Sequence, residues 1–242
     1  MARHDVAGSL PEIIRDDADL YEGHLEPYFA DIFLDATNLR GPYHNFRHML
    51  HVPYRCYDAL RWYRRYKPDG IEISPRQGRI LMVAAIHHDV DHTNKGGNDD
   101  ANIERAVAFL RRHVLDADRS LLPDIENTIR RATHYPHTVD GSALSTIEGV
   151  LRDADMTQAL ERVWIQEIIF GLGQEIGQDQ IPMLRMQKKF LRTVEANLCT
   201  PWAKATFTAE DFHDKIEEAE ALLAIVEKEQ AHRAAPAANP VA

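Results

Sequence analysis

Cysteine is almost absent from this chain: Cys56 and Cys199 are the only two, far apart and outside any CxxC or zinc-knuckle spacing. That excludes a disulfide framework and a thiolate metal site, and a reducing cytoplasm is the compartment expected. Long apolar runs are missing as well. No segment approaches the length needed to span a bilayer, and the start, Met1-Ala2-Arg3-His4-Asp5-Val6, leads into acidic sequence, so a soluble protein retained in the cell is expected. There is no basic excess. The formal net charge of −10 repels nucleic acid and anionic membrane, which leaves a small molecule as the expected partner and a homo-oligomer compatible with the composition. Alternating β-branched runs bounded by turn residues are also scarce.

What the chain does have is 3.6-residue periodicity, and it reads as all-α. Candidate helices cover roughly 9–36, 45–67, 77–91, 99–115, 121–134, 142–151, 155–176, 181–198 and 209–230, about eight or nine in a compact fold. Breakers separate them at Lys67-Pro68-Asp69-Gly70, Lys95-Gly96-Gly97-Asn98, Tyr135-Pro136-His137, Asp140-Gly141-Ser142 and Thr200-Pro201. None is long enough to serve as a linker between domains. With 242 residues, 44% of them hydrophobic, the chain can bury a sizeable core, and one domain over 1–230 is expected. Residues 231–242, small and proline-bearing, read as a disordered tail.

The most informative stretch is Ile86-His87-His88-Asp89-Val90-Asp91-His92, which follows the apolar run Ile80-Leu81-Met82-Val83-Ala84-Ala85. A helix apolar on all sides is buried, and carboxylates at its end need a counter-charge. Upstream, Tyr43-His44-Asn45-Phe46-Arg47-His48 sets two histidines at i and i+4, which a helix would place on one face. His48, His88, Asp89 and a carboxylate from Asp153-Ala154-Asp155, at the opening of a third helix, make an economical site for a divalent metal, because imidazole with carboxylate is the ligand set of such ions. Singly, each of these residues is equally well an N-cap or a satisfied polar group.

His48, then His88-Asp89, then Asp155 resemble the H…HD…D order of the HD-domain metal-dependent phosphohydrolases, over roughly residues 40–200. Tyr43 to His48 and His88 to His92 are similar to hallmark strings of class I cyclic-nucleotide phosphodiesterase catalytic domains, and Asp100-Ala101-Asn102-Ile103-Glu104 to an acidic segment of small bacterial HD phosphohydrolases. The resemblance implies a compact HD helical fold and one or two divalent ions (Mn, Mg, Co, Ni, Zn or Fe). It implies His48, His88, Asp89 and Asp155 as ligands, Asp89 bridging to a second ion lined by His92, and His44 as proton donor. It also implies a phosphoester substrate, a nucleotide or cyclic nucleotide.

Gln187-Lys188-Lys189-Phe190 is similar to the segment with which cyclic phosphodiesterases hold a purine, although Phe190 with Leu184 and Leu191 equally reads as core. Asn45, His134, Gln187 and Phe190 are therefore the residues expected to touch substrate, with His137 and His51 nearby. The acidic runs Asp16-Asp17-Ala18-Asp19 and Glu217-Glu218-Ala219-Glu220 read as solvated faces. Two other readings are an HD-type di-iron oxygenase drawing on His92, His113 and His134, and a non-catalytic nucleotide-binding protein.

Overall fold

The computed structural model describes residues 25–95, 99–134 and 137–234. The expected helix start near residue 9, the acidic run at 16–19, the centres of the 95–98 and 135–137 breakers and the tail beyond 234 lie outside them. Among the described residues the elements are all helical: α1 (Glu26–Asp35), α2 (Phe46–Tyr66), α3 (Pro75–His87), α4 (Asp99–His113), α5 (Leu122–Ala132), α6 (Thr146–Met156), a π-helical segment (Ile165–Leu172) running into α7 (Gly173–Ile176), α8 (Gln180–Asn197), α9 (Pro201–Thr206) and α10 (Ala209–Ala234). That is an all-α fold, as expected. Among the described residues no helix is long and apolar enough to cross a membrane.

The centre of the molecule is α3, where every residue from Gly78 to His87 is buried and α2, α5 and α6 pack around it. It starts sharply because Ser74 and Gln77 form a reciprocal capping box with Pro75 in the first turn. Its one charged core residue, Arg79, donates through Nε and Nη2 to the two oxygens of Asp118 at 2.9 and 2.7 Å, and the Tyr28 hydroxyl donates to the same carboxylate at 2.7 Å. The other end of α3 stops at His87, four residues short of the expected 91. The next residues turn, and Asp91 adopts a left-handed φ of 62°. Helices α8 and α10 lie against each other and close the side of the molecule next to the π segment.

Several boundaries differ from the sequence reading. His44 precedes α2, which begins only at Phe46, because the Asn45 side chain accepts from the backbone N–H of Arg47 (2.9 Å) and His48 (3.2 Å) and so caps the helix. Asp155 does not open a helix but lies in the last turn of α6, which starts at the Ser145–Glu148 capping box and ends where the Thr157 hydroxyl donates to the Asp153 carbonyl at 2.6 Å. The expected single helix 155–176 is thus broken into a 3₁₀ turn (Thr157–Leu160), the π segment and α7. Thr200-Pro201, read as a breaker, is instead the start of α9, since Thr200 caps it and proline at the first position suits a helix N-terminus. At the other end, α10 continues to Ala234, past the expected limit at 230.

Candidate metal centre

Three helices bring four side chains to one point. His48 projects from α2, His88 and Asp89 from the end of α3, and Asp155 from the last turn of α6. His48 and His88 are fully buried, and each is oriented from behind: Nδ1 of His48 lies 2.5 Å from the Gln158 side-chain oxygen, and Nδ1 of His88 lies 2.8 Å from the Ala85 carbonyl. Both partners only accept, so each Nδ1 carries the hydrogen and each Nε2 is turned inward. The two Nε2 atoms stand 3.0 Å apart. Asp89 Oδ2 is 2.9 Å from the first and 3.0 Å from the second, and Asp155 Oδ1 is 3.2 and 3.8 Å from them.

Four acceptors cannot converge like this without something positive between them. Ligands held about 2.1 Å from an ion and roughly 90° apart lie about 3 Å from one another. Most of the spacings here match such edges. The donor set, two imidazoles and two carboxylates, suits a divalent metal.

Without an ion, protons must supply the positive charge. Burial works against charging His48, but hydrogen bonds to Asp155 and Asp89 outweigh it and push its pKa up to about 9; burial is likewise overcome at His88, chiefly by the charge of Asp89, and its pKa lies well above the usual value. Burial would raise both carboxylates, yet the adjacent imidazoles hold Asp89 and Asp155 well below the ordinary range. A metal therefore competes with protons, and its affinity should rise with pH toward about 9. Calorimetric titration of metal at pH 7 in two buffers of different ionisation enthalpy should give apparent heats that differ by at least one released proton. Heats that do not depend on the buffer would contradict this assignment of charge.

A second group stands beside the first. Glu175 of α7 accepts from the backbone N–H of Tyr43 (2.7 Å) and His44 (2.9 Å) through one oxygen, and its other oxygen receives Nδ1–H of His44 at 2.6 Å. These bonds and the His44 charge offset the effect of burial and keep Glu175 ionised. The His44 ring is thereby fixed with Nε2 toward Asp89, 3.8 Å from Oδ2. His92 stacks on it with ring centres 3.7 Å apart; its Nδ1 receives the Asn94 N–H, and its Nε2 lies 2.7 Å from the Asn102 amide nitrogen. Burial, and then the charge of His44, lower the His92 pKa to about 4, so this ring is neutral. His44, His92 and Glu175 are close enough to share an ion, but apart from His44 Nε2 their ligating atoms already have partners.

The surrounding chain locks these positions. Buried Asn38 donates to the carbonyls of both His44 and Asp89 at 2.8 Å and accepts from Asp91 N–H at 2.9 Å, tying the two motifs together. The π segment is held against the His44 loop by Arg47–Glu167 (2.8 Å) and by Gly171, where an added Cβ would come within 2.6 Å of the Pro42 carbonyl oxygen.

The other sequence-predicted residues fall in different places. Asp153, two positions from Asp155 and so on the other side of α6, accepts from the N–H of Cys199 and Thr200 and from the Thr200 hydroxyl, which anchors the start of α9. Asn45 is a cap. His134 pairs with Asp100 at 2.8 Å, and His113 stacks on Phe109 near Asp31, so neither joins the His and Asp cluster as a di-iron site would require. His51 lies beside Arg55 and Glu161, and His137 lines a separate small cleft with Arg152 and Asp153. Phe190 lines the cavity in front of the metal centre. Gln187 is buried and does not line it, with Nε2 donating to the Met183 carbonyl of its own helix.

Sequence reasoning missed Glu175, Asn38 and Gln158, and named Asn102 only within the Asp100–Glu104 segment without a role. Only Gln158, three residues after Asp155, had a usable spacing. Glu175 sat unmarked inside what read as one long helix.

The cavity has a volume of about 220 Å³. Among the described residues lining it, Lys95 is the one lysine or arginine, set against Asp89, Asp99, Asp155 and Glu175. Compared with protein-family models, curated proteins and solved structures, the chain matches none.

Proposed function

We propose that this protein hydrolyses a phosphoester at a divalent metal held by His48, His88, Asp89 and Asp155. The observation that carries the reading is the pairing of a four-acceptor metal set with a histidine outside it, His44, which is backed by a carboxylate and aimed across the centre. A bound divalent ion would neutralise phosphate charge and lower the pKa of a coordinated water. The cavity supports that need, because its four carboxylates would otherwise repel an anionic substrate.

The chain's own residues supply the rest. Gln158 and the Ala85 carbonyl keep the two imidazoles in the tautomer that presents Nε2. Glu175 accepts Nδ1–H of His44 and so turns Nε2 toward the centre, where its hydrogen can be donated. Water adds to phosphorus and gives up one proton to solvent, the ester P–O bond breaks, the departing alkoxide takes the Nε2 proton of His44, and His44 regains a proton from solvent. His92, neutral and stacked on His44, limits the freedom of the ring.

The test separates chemistry from metal binding. His44→Asn should lower kcat by about 10²- to 10⁴-fold, the usual size of a general-acid contribution, and leave metal content unchanged. On a p-nitrophenyl ester, whose leaving group needs little protonation, the loss should shrink. Equal losses on both esters, or loss of metal, would make His44 a ligand and remove it as proton donor.

A further inference from the structure

The cavity in front of the metal centre has two unlike halves. One is the cluster of histidines and carboxylates. The other is aliphatic and aromatic: Ile168 and Leu172 of the π segment, Ile176 of α7, Met156 and Ala159 beyond the metal ligand Asp155, and Phe190 of α8. Among the described residues no hydrogen-bonding side chain interrupts this wall.

Two of the uncharged polar side chains that line the cavity are already engaged. Asn102 accepts from Thr93 N–H and hydroxyl and turns its amide nitrogen to His92, and the Thr133 hydroxyl donates to the Ile129 carbonyl at 2.7 Å. Gln187, the one side chain of the α8 segment suited to reading a base edge, is 2% exposed and does not line the cavity. A volume of about 220 Å³ is also below the roughly 300–1,000 Å³ of clefts that enclose drug-sized ligands.

We propose that the cavity takes a phosphoester whose organic part is small and apolar, such as a short branched alkyl or phenyl group, in place of a nucleoside whose base is read by hydrogen bonds. The inference rests on the metal-dependent reading of the same centre, which supplies the anchor for the phosphate. A base edge pressed against this wall would lose its water and gain no partner. An alkyl or phenyl group loses nothing polar there and buries apolar surface against Leu172 and Phe190.

The experiment uses the full chain loaded with Mn²⁺ and two readouts. Calorimetry measures affinity for 3-methylbutylphosphonate, methylphosphonate and adenosine 5′-monophosphate, and phosphate release is followed from 3-methylbutyl phosphate, methyl phosphate and the same nucleotide. The branched phosphonate should bind at least about tenfold tighter than either of the others, a difference of the size one or two methylene groups make in an apolar pocket. Leu172→Asn, or Ile176→Ser at the more exposed rim should the first variant fold poorly, should abolish that advantage and leave methylphosphonate affinity unchanged. If the binding order holds but no ester releases phosphate, the pocket assignment stands and the hydrolase reading falls. Nucleotide binding as tight as the branched phosphonate, no binding of either phosphonate, or equal weakening of both phosphonates in the variants would overturn the assignment.

Discussion

Asp89→Ala is expected to lose bound metal almost completely. Asp89 is the one carboxylate within 3.0 Å of both imidazole nitrogens, so its removal takes away the ligand that touches the whole set. Changes to groups that merely orient ligands lower metal affinity by about 10- to 100-fold, and deletion of a shared ligand should exceed that. Elemental analysis after dialysis against trace metal reads the loss directly. A thermal melt gives an independent reading, since a metal at 100 times its dissociation constant stabilises the wild type by about 2.7 kcal/mol and should barely move the variant. Asp153→Ala is the control: it removes the anchor of α9, should lower stability, and should leave metal content intact because Asp153 points to Cys199 and Thr200. Retention of metal by Asp89→Ala, or its loss from Asp153→Ala, would exchange the roles assigned to these aspartates.

Much of this centre could be read from sequence because its residues sit where strong local rules apply. An apolar run ending in His88-Asp89 reads as a buried helix delivering charge to the interior, and the structure places those two residues at the end of α3. The choice between Asp153 and Asp155 was not legible in the same way. It depends on where α6 ends, and Ser145 and Thr157 set that through side-chain bonds to the backbone. The histidine pair at 44 and 48 shows how a correct spacing can arise for another reason: Asn45 stops the helix between them, yet the turn before the cap still brings the two rings within 5.4 Å. Glu175 was invisible because its role comes from contacts more than 130 residues away in sequence, with Tyr43 and His44, and from the π geometry of the segment leading to it. Asn38 is similar: no local pattern announces a side chain whose three bonds reach His44, Asp89 and Asp91.

The second large effect concerns the support of α3 and not the metal. Asp118→Ala should lower folding stability by about 3–5 kcal/mol, the range for removing one member of a buried ion pair. Both groups have side-chain exposures of 3%, and Asp118 accepts the Nε and Nη2 hydrogens of Arg79 together with the Tyr28 hydroxyl, so alanine removes the acceptor of three bonds at once. Replacing Arg79 by Met and Asp118 by Leu, with Tyr28→Phe, should recover most of the loss, because apolar groups of similar volume carry no desolvation penalty. Arg79 lies nine residues before His88, about 13 Å along the helix axis, so the metal content of the folded fraction should stay at the wild-type level in both variants. Urea unfolding followed by circular dichroism, with elemental analysis of the folded protein, reads the two quantities separately. A loss under about 1 kcal/mol would put this pair in the class of solvent-exposed ion pairs. A drop in metal content at unchanged helicity would mean that the Arg79–Asp118 bond sets the position of His88 and Asp89 as well as the stability of the helix that carries them.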